Sequence, residues 1–252
     1  MPPGRIILIA WIVYAFAFTL ALARRAPASN KSGKRPRGLG DQLRILVIGA
    51  TGGTGRELVR QALAQGHQVT AFVRNPQKLK IEHSNLRVIQ GNVLDYDTVE
   101  PAVRGQGAVL SALGHKRFLG PSNILSQGTR NILRAMQNTQ VPRFICESSL
   151  GVGDTVGRLG LPATLLFVPL ILPFYIGDRV RQERLIEESS LDWVIVRPAI
   201  LTNGPARGDY RHGQKVGSYI LPTYVSRADV AGFMLKQLHD DTYLGSAPGI
   251  CY

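Results

Sequence analysis

The stretch RILVIGATGGTGRELV, residues 44–59, places three glycines at a spacing that suits a phosphate-binding turn. Gly49, Gly52 and Gly55 follow a short apolar run and precede an amphipathic segment, so the pattern predicts a strand, a glycine-rich loop and a helix. Glycine permits a tight turn and a close backbone approach, and the unpaired N–H groups of a helix N-terminus attract a pyrophosphate. We therefore predict a dinucleotide site here rather than a purely structural turn.

A second candidate is the cation that ends the next apolar run, VTAFVRNP. Arg74 stands nineteen residues after Gly55, where a site that prefers NAD usually has an acidic residue for the ribose diol. A guanidinium at this position pairs with a 2′-phosphate instead, and Arg56 is close enough in sequence to help. The alternative is that Arg74 is a solvated charge at a strand end. We expect NADP(H) to be preferred over NAD(H).

The composition limits the other classes of function. The 252 residues carry 30 Lys and Arg against 17 Asp and Glu, a formal net charge of +13. Residues 1–42 hold seven of the basic residues and one acid, which leaves 23 basic and 16 acidic residues, net +7, in residues 43–252. Two cysteines, Cys146 and Cys251, form neither a disulfide framework nor a metal-binding pattern, so we predict reduced thiols and no metal. The basic residues are not interleaved with aromatics, so no nucleic-acid partner is predicted.

The N-terminal region contains an uncharged apolar run of 18 residues, Ile6 to Ala23. At 1.5 Å per residue a helix of this length spans roughly 27 Å, close to the hydrocarbon thickness of a bilayer. A signal peptide would be cleaved after Ala21-Leu22-Ala23, whereas a retained transmembrane anchor would keep the run. Six basic residues follow the run and only Arg5, in the flank 1–5, precedes it, so the positive-inside rule favours an anchor with the remaining chain in the cytoplasm. A mis-assigned start codon is a third possibility. Residues 24–42, rich in Gly, Pro and basic residues, predict a flexible linker.

From residue 43 onward, short apolar runs alternate with helix-like segments. The runs are 44–49, 68–73, 86–91, 107–113, 143–148 and 192–198, and the helix-like segments are 53–65, 95–104, 122–138 and 178–190. Runs that are apolar on both faces and separated by single helices predict a parallel sheet that is covered on both sides. We expect one α/β domain over residues 43–252.

These features, together with GNVLD and VRPAILTNGPARGDY, resemble the atypical short-chain dehydrogenases/reductases of the NAD(P)H-binding, NmrA-like group. Within that group the resemblance is to the flavin reductase/biliverdin-IXβ reductase type, and it covers about residues 43–252. It implies a Rossmann-type doubly wound parallel sheet in a single domain, here with an N-terminal transmembrane helix. With the loop residues Gly53 and Arg56 included, the predicted cofactor-binding set is Gly49, Thr51, Gly52, Gly53, Thr54, Gly55, Arg56, Arg74, Asn92, Val93, Leu113, Gly114, Pro198, Ala199 and Ile200.

The resemblance is less specific about the catalytic residues. Ordinary members of the superfamily use Tyr-x-x-x-Lys, with the phenol as acid and base, and the nearest pattern here is Tyr175-Ile-Gly-Asp-Arg179. Arg179 could hold a ribose hydroxyl but cannot relay protons as lysine does, and Tyr175 could equally be a packed aromatic. Ser148 and Ser149 follow the fifth run, where the family keeps a serine, and alignment places Ser149 at the substrate-contacting position. The alternative for Ser149 is a cap of the following turn.

The apolar stretch Leu161–Ile176 is broken by three prolines and is short for a membrane span, so we interpret residues 155–177 as a cover over a substrate pocket. In the flavin-reductase type, hydride passes directly to a stacked ring, which asks the protein mainly for positioning. The leading hypothesis is therefore a membrane-tethered, NADPH-dependent reductase of a flavin, quinone or similar planar or apolar acceptor. A non-catalytic NADP(H) sensor and a membrane-complex assembly factor are the alternatives. The oligomeric state is not predicted.

Overall fold

A computed structural model describes residues 9–11, 13, 14, 17, 42–114, 122–160 and 173–252. Most of the apolar run 6–23, nearly all of the linker 24–42 and residues 161–172 of the predicted cover lie outside the described residues. In the part of the chain that is described, no helix has both the length and the apolar character needed to cross a membrane.

The six predicted apolar runs form six adjacent strands of one sheet. Its strands are β1 (Arg44–Ile48), β2 (Gln68–Val73), β3 (Leu86–Gln90), β4 (Ala108–Ser111), β5 (Arg143–Glu147), β6 (Asp192–Pro198), β8 (Arg211–Gly213) and β10 (Gly249–Cys251). They lie in the order β3-β2-β1-β4-β5-β6-β10-β8 and are all parallel except β8, which runs antiparallel to β10. The first six strands have the Rossmann order, which confirms the predicted Rossmann-type doubly wound sheet but not the predicted N-terminal transmembrane helix.

Helices cover both faces of this sheet. They are α1 (Gly53–Ala64), α2 (Tyr96–Val103), α3 (Ile124–Asn138), α4 (Pro173–Glu187) and α5 (Arg227–Lys236). Successive side chains of a strand point to opposite faces, so Ile45 and Val47 of β1 join the core under α1 and α5, while Leu46 and Ile48 join the core under α2 and α3. The unbroken apolar run in β1 is thus explained by burial on both sides.

Three predictions of the elements were wrong in detail. The fourth predicted helix extends over Pro173–Glu187 rather than 178–190, because a proline fits the first helical turn, where its missing N–H is not needed. Strand β3 is not buried on both faces, since it is an edge strand and Val88 is 40% exposed. Four short strands were not predicted: β8 and β10 of the main sheet, and the separate parallel pair β7 (Ile200–Thr202) and β9 (Tyr224–Ser226).

Buried polar side chains fix the loops near the carboxyl ends of the strands. Asp178 of α4 accepts the N–H groups of Leu125 at 2.9 Å and Ser126 at 3.2 Å, which satisfies the first turn of α3 from a neighbouring helix. Arg197 of β6 makes two hydrogen bonds to Glu183 of α4, at 3.0 and 2.8 Å. Both contacts hold α4 against the sheet, and α4 carries two of the predicted site residues.

Candidate functional site

A cleft of about 760 Å³ opens at the carboxyl ends of the strands, where the strand order reverses between β1 and β4. This switch point is the place where doubly wound sheets bind their ligands. The cleft is lined by fifteen of the nineteen predicted residues: Gly49, Thr51, Gly52, Gly53, Thr54, Arg74, Val93, Leu113, Gly114, Ser148, Ser149, Tyr175, Arg179, Pro198 and Ala199. The fold therefore brings together residues that are up to 150 positions apart in the sequence.

The glycine-rich loop is packed so closely that side chains are excluded at two positions. Gly49 has a φ of +81°, and a Cβ atom there would lie 2.4 Å from the carbonyl oxygen of Ala112, just after β4. A Cβ atom at Gly55 would lie 2.1 Å from the carbonyl oxygen of Gly49. The loop closes with a hydrogen bond from the Gly52 N–H to the same oxygen, at 2.9 Å. The predicted tight turn and close backbone approach are both present.

The loop leads into the N-terminus of α1, which has features that favour an anion. Gly52 caps this helix without a side-chain hydrogen bond, and the first turn itself contains no acidic residue that would oppose an anion at the positive end of the helix dipole. Arg227, the first residue of α5, lies across the loop, because a Cβ atom at Gly53 would be 2.3 Å from its Cδ. Its Nη1 donates to Oδ1 of Asn203 at 2.6 Å. This cation was not predicted, because no local sequence pattern marks it.

Two cations line the cleft beyond β2. Arg74 follows the strand directly, and Lys78 ends a 3₁₀ turn over Pro76–Lys78. The side chain of Asn75 accepts the Gln77 N–H at 3.0 Å and thereby caps that turn. Arg56 does not line the cleft; its Nη2 donates to the Lys78 carbonyl at 3.2 Å and holds the turn in place. Lys78 was also not predicted, although it stands only four residues after Arg74.

Three further predicted residues do not lie on the cleft surface. Gly55 lies behind the loop, where its role is close packing. Asn92 is exposed, and its Oδ1 accepts the Leu94 N–H at 3.2 Å, so it shapes the turn after β3 while its neighbour Val93 lines the cleft. Ile200 is 36% exposed and belongs to β7, with Ala199 on the cleft. Alternation along an extended chain turns the side chains of neighbouring residues in opposite directions.

A buried carboxylate lies between the glycine loop and the predicted catalytic residues. Glu147 ends β5, and its Oε1 accepts a hydrogen bond from Oγ1 of Thr54 at 2.9 Å. Burial raises the pKa of this carboxyl group, while the charge of Arg179 and the Thr54 hydrogen bond oppose that rise. Glu147 is the only acidic residue among the described residues that line the cleft. Glu147 was not predicted as a site residue, although a charged residue inside the apolar run RFICES is a signal that could have identified it.

Tyr175 and Arg179 face each other across one turn of α4. The Tyr175 hydroxyl accepts hydrogen bonds from Arg179, at 2.7 Å from Nη2 and 3.2 Å from Nε. Nη1 of the buried Arg179 donates to the Glu147 carbonyl at 2.6 Å. The guanidinium therefore links α4 to the end of β5 and orients the phenol. The packed and the catalytic interpretations of Tyr175 both remain predictions, because the side chain lines the cleft and is also hydrogen-bonded inside the protein.

The two serines after β5 differ in their hydrogen bonding. Ser148 is 3% exposed, lines the cleft, and its Oγ has no hydrogen-bond partner among the described residues. The Ser149 hydroxyl donates to the Leu150 carbonyl at 2.9 Å, which is the local strand-end bond that was the alternative interpretation. A buried hydroxyl without a partner is costly unless a ligand supplies one. Ser148 is therefore the stronger candidate for a polar ligand contact, although Ser149 also lines the cleft.

Comparison with known proteins gives the family of the chain and the same fold. A family model described as NAD(P)H-binding matches residues 49–241. The photosystem II assembly factor Ycf39 of Synechocystis is 32% identical over 219 residues, which cover 79% of this chain and 60% of the relative. The anaerobilin reductase ChuY of Escherichia coli O157:H7 superimposes with a TM-score of 0.68 at 24% identity, covering 82% of this chain and 96% of ChuY.

A short-chain dehydrogenase/reductase of Veillonella parvula, solved in complex with NADP, superimposes with a TM-score of 0.67 at 21% identity, covering 82% of this chain and 93% of that one. At such identities the two superpositions establish the fold alone. The chain matches about three fifths of the length of its first curated relatives.

Proposed function

The chain belongs to the NAD(P)H-binding family, and we propose that it is an NADPH-dependent reductase of a flavin, quinone or similar planar acceptor. One observation carries the proposal: a continuous cleft extends from the glycine loop to the hydroxyl groups of Ser148, Ser149 and Tyr175. A cofactor held at the glycine loop would extend along the cleft to a small molecule bound beside these hydroxyl groups. The reductase named among the solved structures of the same fold supports the reaction class by analogy.

The residues of the cleft fit a dinucleotide. A Cβ atom at Gly49 or Gly55 would clash with main-chain atoms, as expected for the tight turn and the close helix packing of a dinucleotide loop. The lining residues include four cations and one buried carboxylate, so the cleft favours an anionic ligand. The cations are Arg74, Lys78, Arg179 and Arg227.

A preference for NADPH over NADH is part of the proposal. It is supported by Arg74 and Lys78, which both line the cleft after β2, and by the absence of an acidic residue from that part of the described lining. Guanidinium and ammonium groups pair with a 2′-phosphate, whereas a ribose diol requires an acceptor.

The bound reduced cofactor would supply a hydride. The side chains of the protein would then orient the acceptor and hold the proton that the reduced acceptor takes up. The unsatisfied Ser148 hydroxyl would hold a polar atom of the acceptor, and the Tyr175 hydroxyl, oriented by Arg179, would hold a proton at the edge of the cleft. Solvent can supply the proton where the acceptor is stacked in an open cleft.

A non-catalytic role is the second candidate. The relative Ycf39 is named as an assembly factor, and the Tyr-x-x-x-Lys pair is replaced by Tyr175 and Arg179. A protein that binds NADPH tightly without oxidising it would act as a sensor or as an assembly module.

Attachment to a membrane is also proposed. It rests on the sequence of the apolar run 6–23 and the six basic residues after it, which favour an anchor with the Rossmann domain on the cytoplasmic side. Fractionation of cells that express the full chain tests this: recovery with membranes that resists high salt is expected for an anchor, and release by salt contradicts it.

The function is tested by following oxidation of NADPH and NADH by the full chain against a panel of flavins and quinones. We expect turnover with NADPH, and we expect Ser148→Ala to lower it with little change in NADPH affinity. Ser190→Ala, an exposed serine outside the cleft, is the matched control. NADPH binding without oxidation of any acceptor would reject the reductase and favour the second candidate.

Cofactor preference is tested separately by binding. A charge-assisted hydrogen bond contributes about 1.5–3 kcal/mol, so Arg74→Ala should weaken NADPH binding by roughly 10- to 150-fold and leave NADH binding nearly unchanged. Arg87→Ala removes an exposed cation of the neighbouring strand β3 and should change neither affinity. Equal losses for both cofactors on Arg74→Ala would contradict the 2′-phosphate assignment.

A further inference from the structure

Three consecutive large apolar side chains stand out from the surface after β8. Tyr219 is 60% exposed, Ile220 73% and Leu221 68%, and we refer to these three residues as the apolar tip. The Oγ of Ser218 accepts the N–H groups of Ile220 at 3.2 Å and Leu221 at 3.1 Å, so the backbone of the tip is a closed turn. An isolated exposed apolar residue is ordinary, but a run of three on a fixed turn indicates an interaction surface.

A second segment supports the tip from behind. The Ser218 N–H donates to the Arg158 carbonyl at 2.9 Å, and a Cβ atom at Gly160 would lie 2.6 Å from the carbonyl carbon of Leu221. Nε of Arg158 donates to the Tyr219 hydroxyl at 3.3 Å. The tip is therefore held by main-chain packing and by the Tyr219 hydroxyl, and the exposed side chains of Ile220 and Leu221 remain available for an external contact.

The charges next to the tip have one sign. The two segments that form it, residues 156–160 and 210–225, contain Arg158, Arg211 and Lys215 and no Asp or Glu. Arg211 and Lys215 are exposed, and Nη1 of Arg158 donates to the carbonyl of Gln214, the residue before Lys215. Apolar side chains with a tyrosine beside lysine and arginine are the composition of segments that bind at the interface of an anionic bilayer.

The chain that follows the tip leads to the strand pair beside the cleft. After Leu221 the chain enters β9, which pairs with β7, and Leu201 of β7 lines the cleft. Ile200 and Tyr224, paired across these two strands, are 36% and 45% exposed and extend the apolar surface. A bilayer that contacts the tip would therefore lie near the β7 side of the cleft.

We propose that the apolar tip docks onto the interface of an anionic lipid bilayer, with Tyr219, Ile220 and Leu221 inserted among the headgroups and Lys215 paired with lipid phosphate or carboxylate groups. This surface is separate from the apolar run 6–23 and does not depend on the proposed reductase activity. A lipid surface is favoured over a protein partner because the tip is a single turn and the two segments that form it carry cations and no Asp or Glu.

The test places an environment-sensitive fluorophore on the tip of the full chain through Ile220→Cys. The native cysteines, Cys146 and Cys251, are free and completely buried, so labelling is directed to the new thiol. Val88→Cys is the matched control, because Val88 is also an exposed aliphatic residue and lies on β3, at the opposite edge of the sheet from β8. Both proteins are placed in nanodiscs of phosphatidylcholine and phosphatidylserine whose acyl chains carry a quencher.

An interfacial side chain sits about 5–10 Å into the headgroup and acyl boundary, so the label at 220 should lose roughly half of its fluorescence or more while the label at 88 loses little. Replacing phosphatidylserine by phosphatidylcholine, or adding Lys215→Gln, should reduce quenching at 220. Equal quenching at 220 and 88 would overturn the proposal. So would a label at 220 that stays unquenched in anionic discs and becomes protected only when a second protein is added, since the tip would then be a protein interface. Unchanged thermal unfolding of each labelled variant serves as the check on folding.

Discussion

Replacing Gly55 by alanine tests the reasoning about the glycine loop most directly. The new Cβ atom would lie 2.1 Å from the carbonyl oxygen of Gly49, 2.7 Å from its carbonyl carbon and 2.9 Å from the Cα of Ala50. All three neighbours are main-chain atoms, so no change of side-chain rotamer relieves the contact. Ordinary contact begins at 3.4 Å, and the loop or α1 must therefore move by about 1.3 Å.

The magnitude follows from this displacement. Overpacking that shifts the backbone costs about 1–3 kcal/mol, and a clash with main-chain atoms alone belongs at the upper end of that range. At about 2–4 °C per kcal/mol for a domain of this size, Tm should fall by roughly 6–12 °C. If the shift also removes two backbone hydrogen bonds to a pyrophosphate, about 2 kcal/mol of binding is lost, and the Kd for NADPH rises about 30-fold.

The assay combines thermal unfolding by circular dichroism with titration of NADPH. Gly107→Ala is the control, because its Cβ atom would meet the Arg44 carbonyl oxygen at 3.4 Å and Leu43 at 3.5 Å, which is ordinary contact. This control should keep the wild-type Tm to within about 2 °C and the wild-type affinity. A Gly55→Ala protein with the wild-type Tm and Kd would refute the packing argument, and an equal loss in Gly107→Ala would show that the effect is not local.

Three further predictions concern titration and reactivity. Burial raises the pKa of Glu187 from its ordinary 4.5 to about 7, so the wild type loses stability as pH rises through that window. In urea unfolding near pH 8, Glu187→Gln should be more stable than the wild type by about 1 kcal/mol, after allowance for the partial exposure of the side chain. Near pH 4 the two proteins should be equally stable. A variant that gains nothing near pH 8 contradicts this. Burial lowers the pKa of His67, whose Nδ1 accepts the Leu43 N–H at 3.2 Å. Stability should therefore fall as pH drops below about 6.5, and His67→Asn should reduce that loss whereas His83→Asn, at an exposed site, should not. Burial raises the pKa of Cys146 to about 12, so a thiol-specific disulfide reagent should modify it only after unfolding; rapid reaction of the native protein would be inconsistent with its burial.

Much of the fold could be predicted because its signals are local. The run Ile45–Ile48 is apolar at every position, and a strand of this kind must be buried on both faces, which already requires helices on both sides of the sheet. The strands β7 to β10 are only three residues long and show no periodicity that a sequence pattern could detect. Their pairing depends on chain segments that meet only after the central sheet has formed.

The residues of the candidate site also fall into two groups, those predicted from local sequence and those that only the tertiary structure placed. The sequence by itself determined where the glycine loop lies, since the turn, the close main-chain packing and the start of the helix all fall within Gly49–Gly55. It also determined that Arg74 would lie in the cleft, from its distance in sequence to that loop. Only the tertiary structure placed Arg227 across Gly53 and Glu147 beside Thr54, which are separated by 174 and 93 positions. The physical reason is that a local motif is specified by the backbone conformations of adjacent residues. A contact across the cleft is specified by how helices pack on a sheet, and a pattern in one segment carries no information about the segment that packs against it.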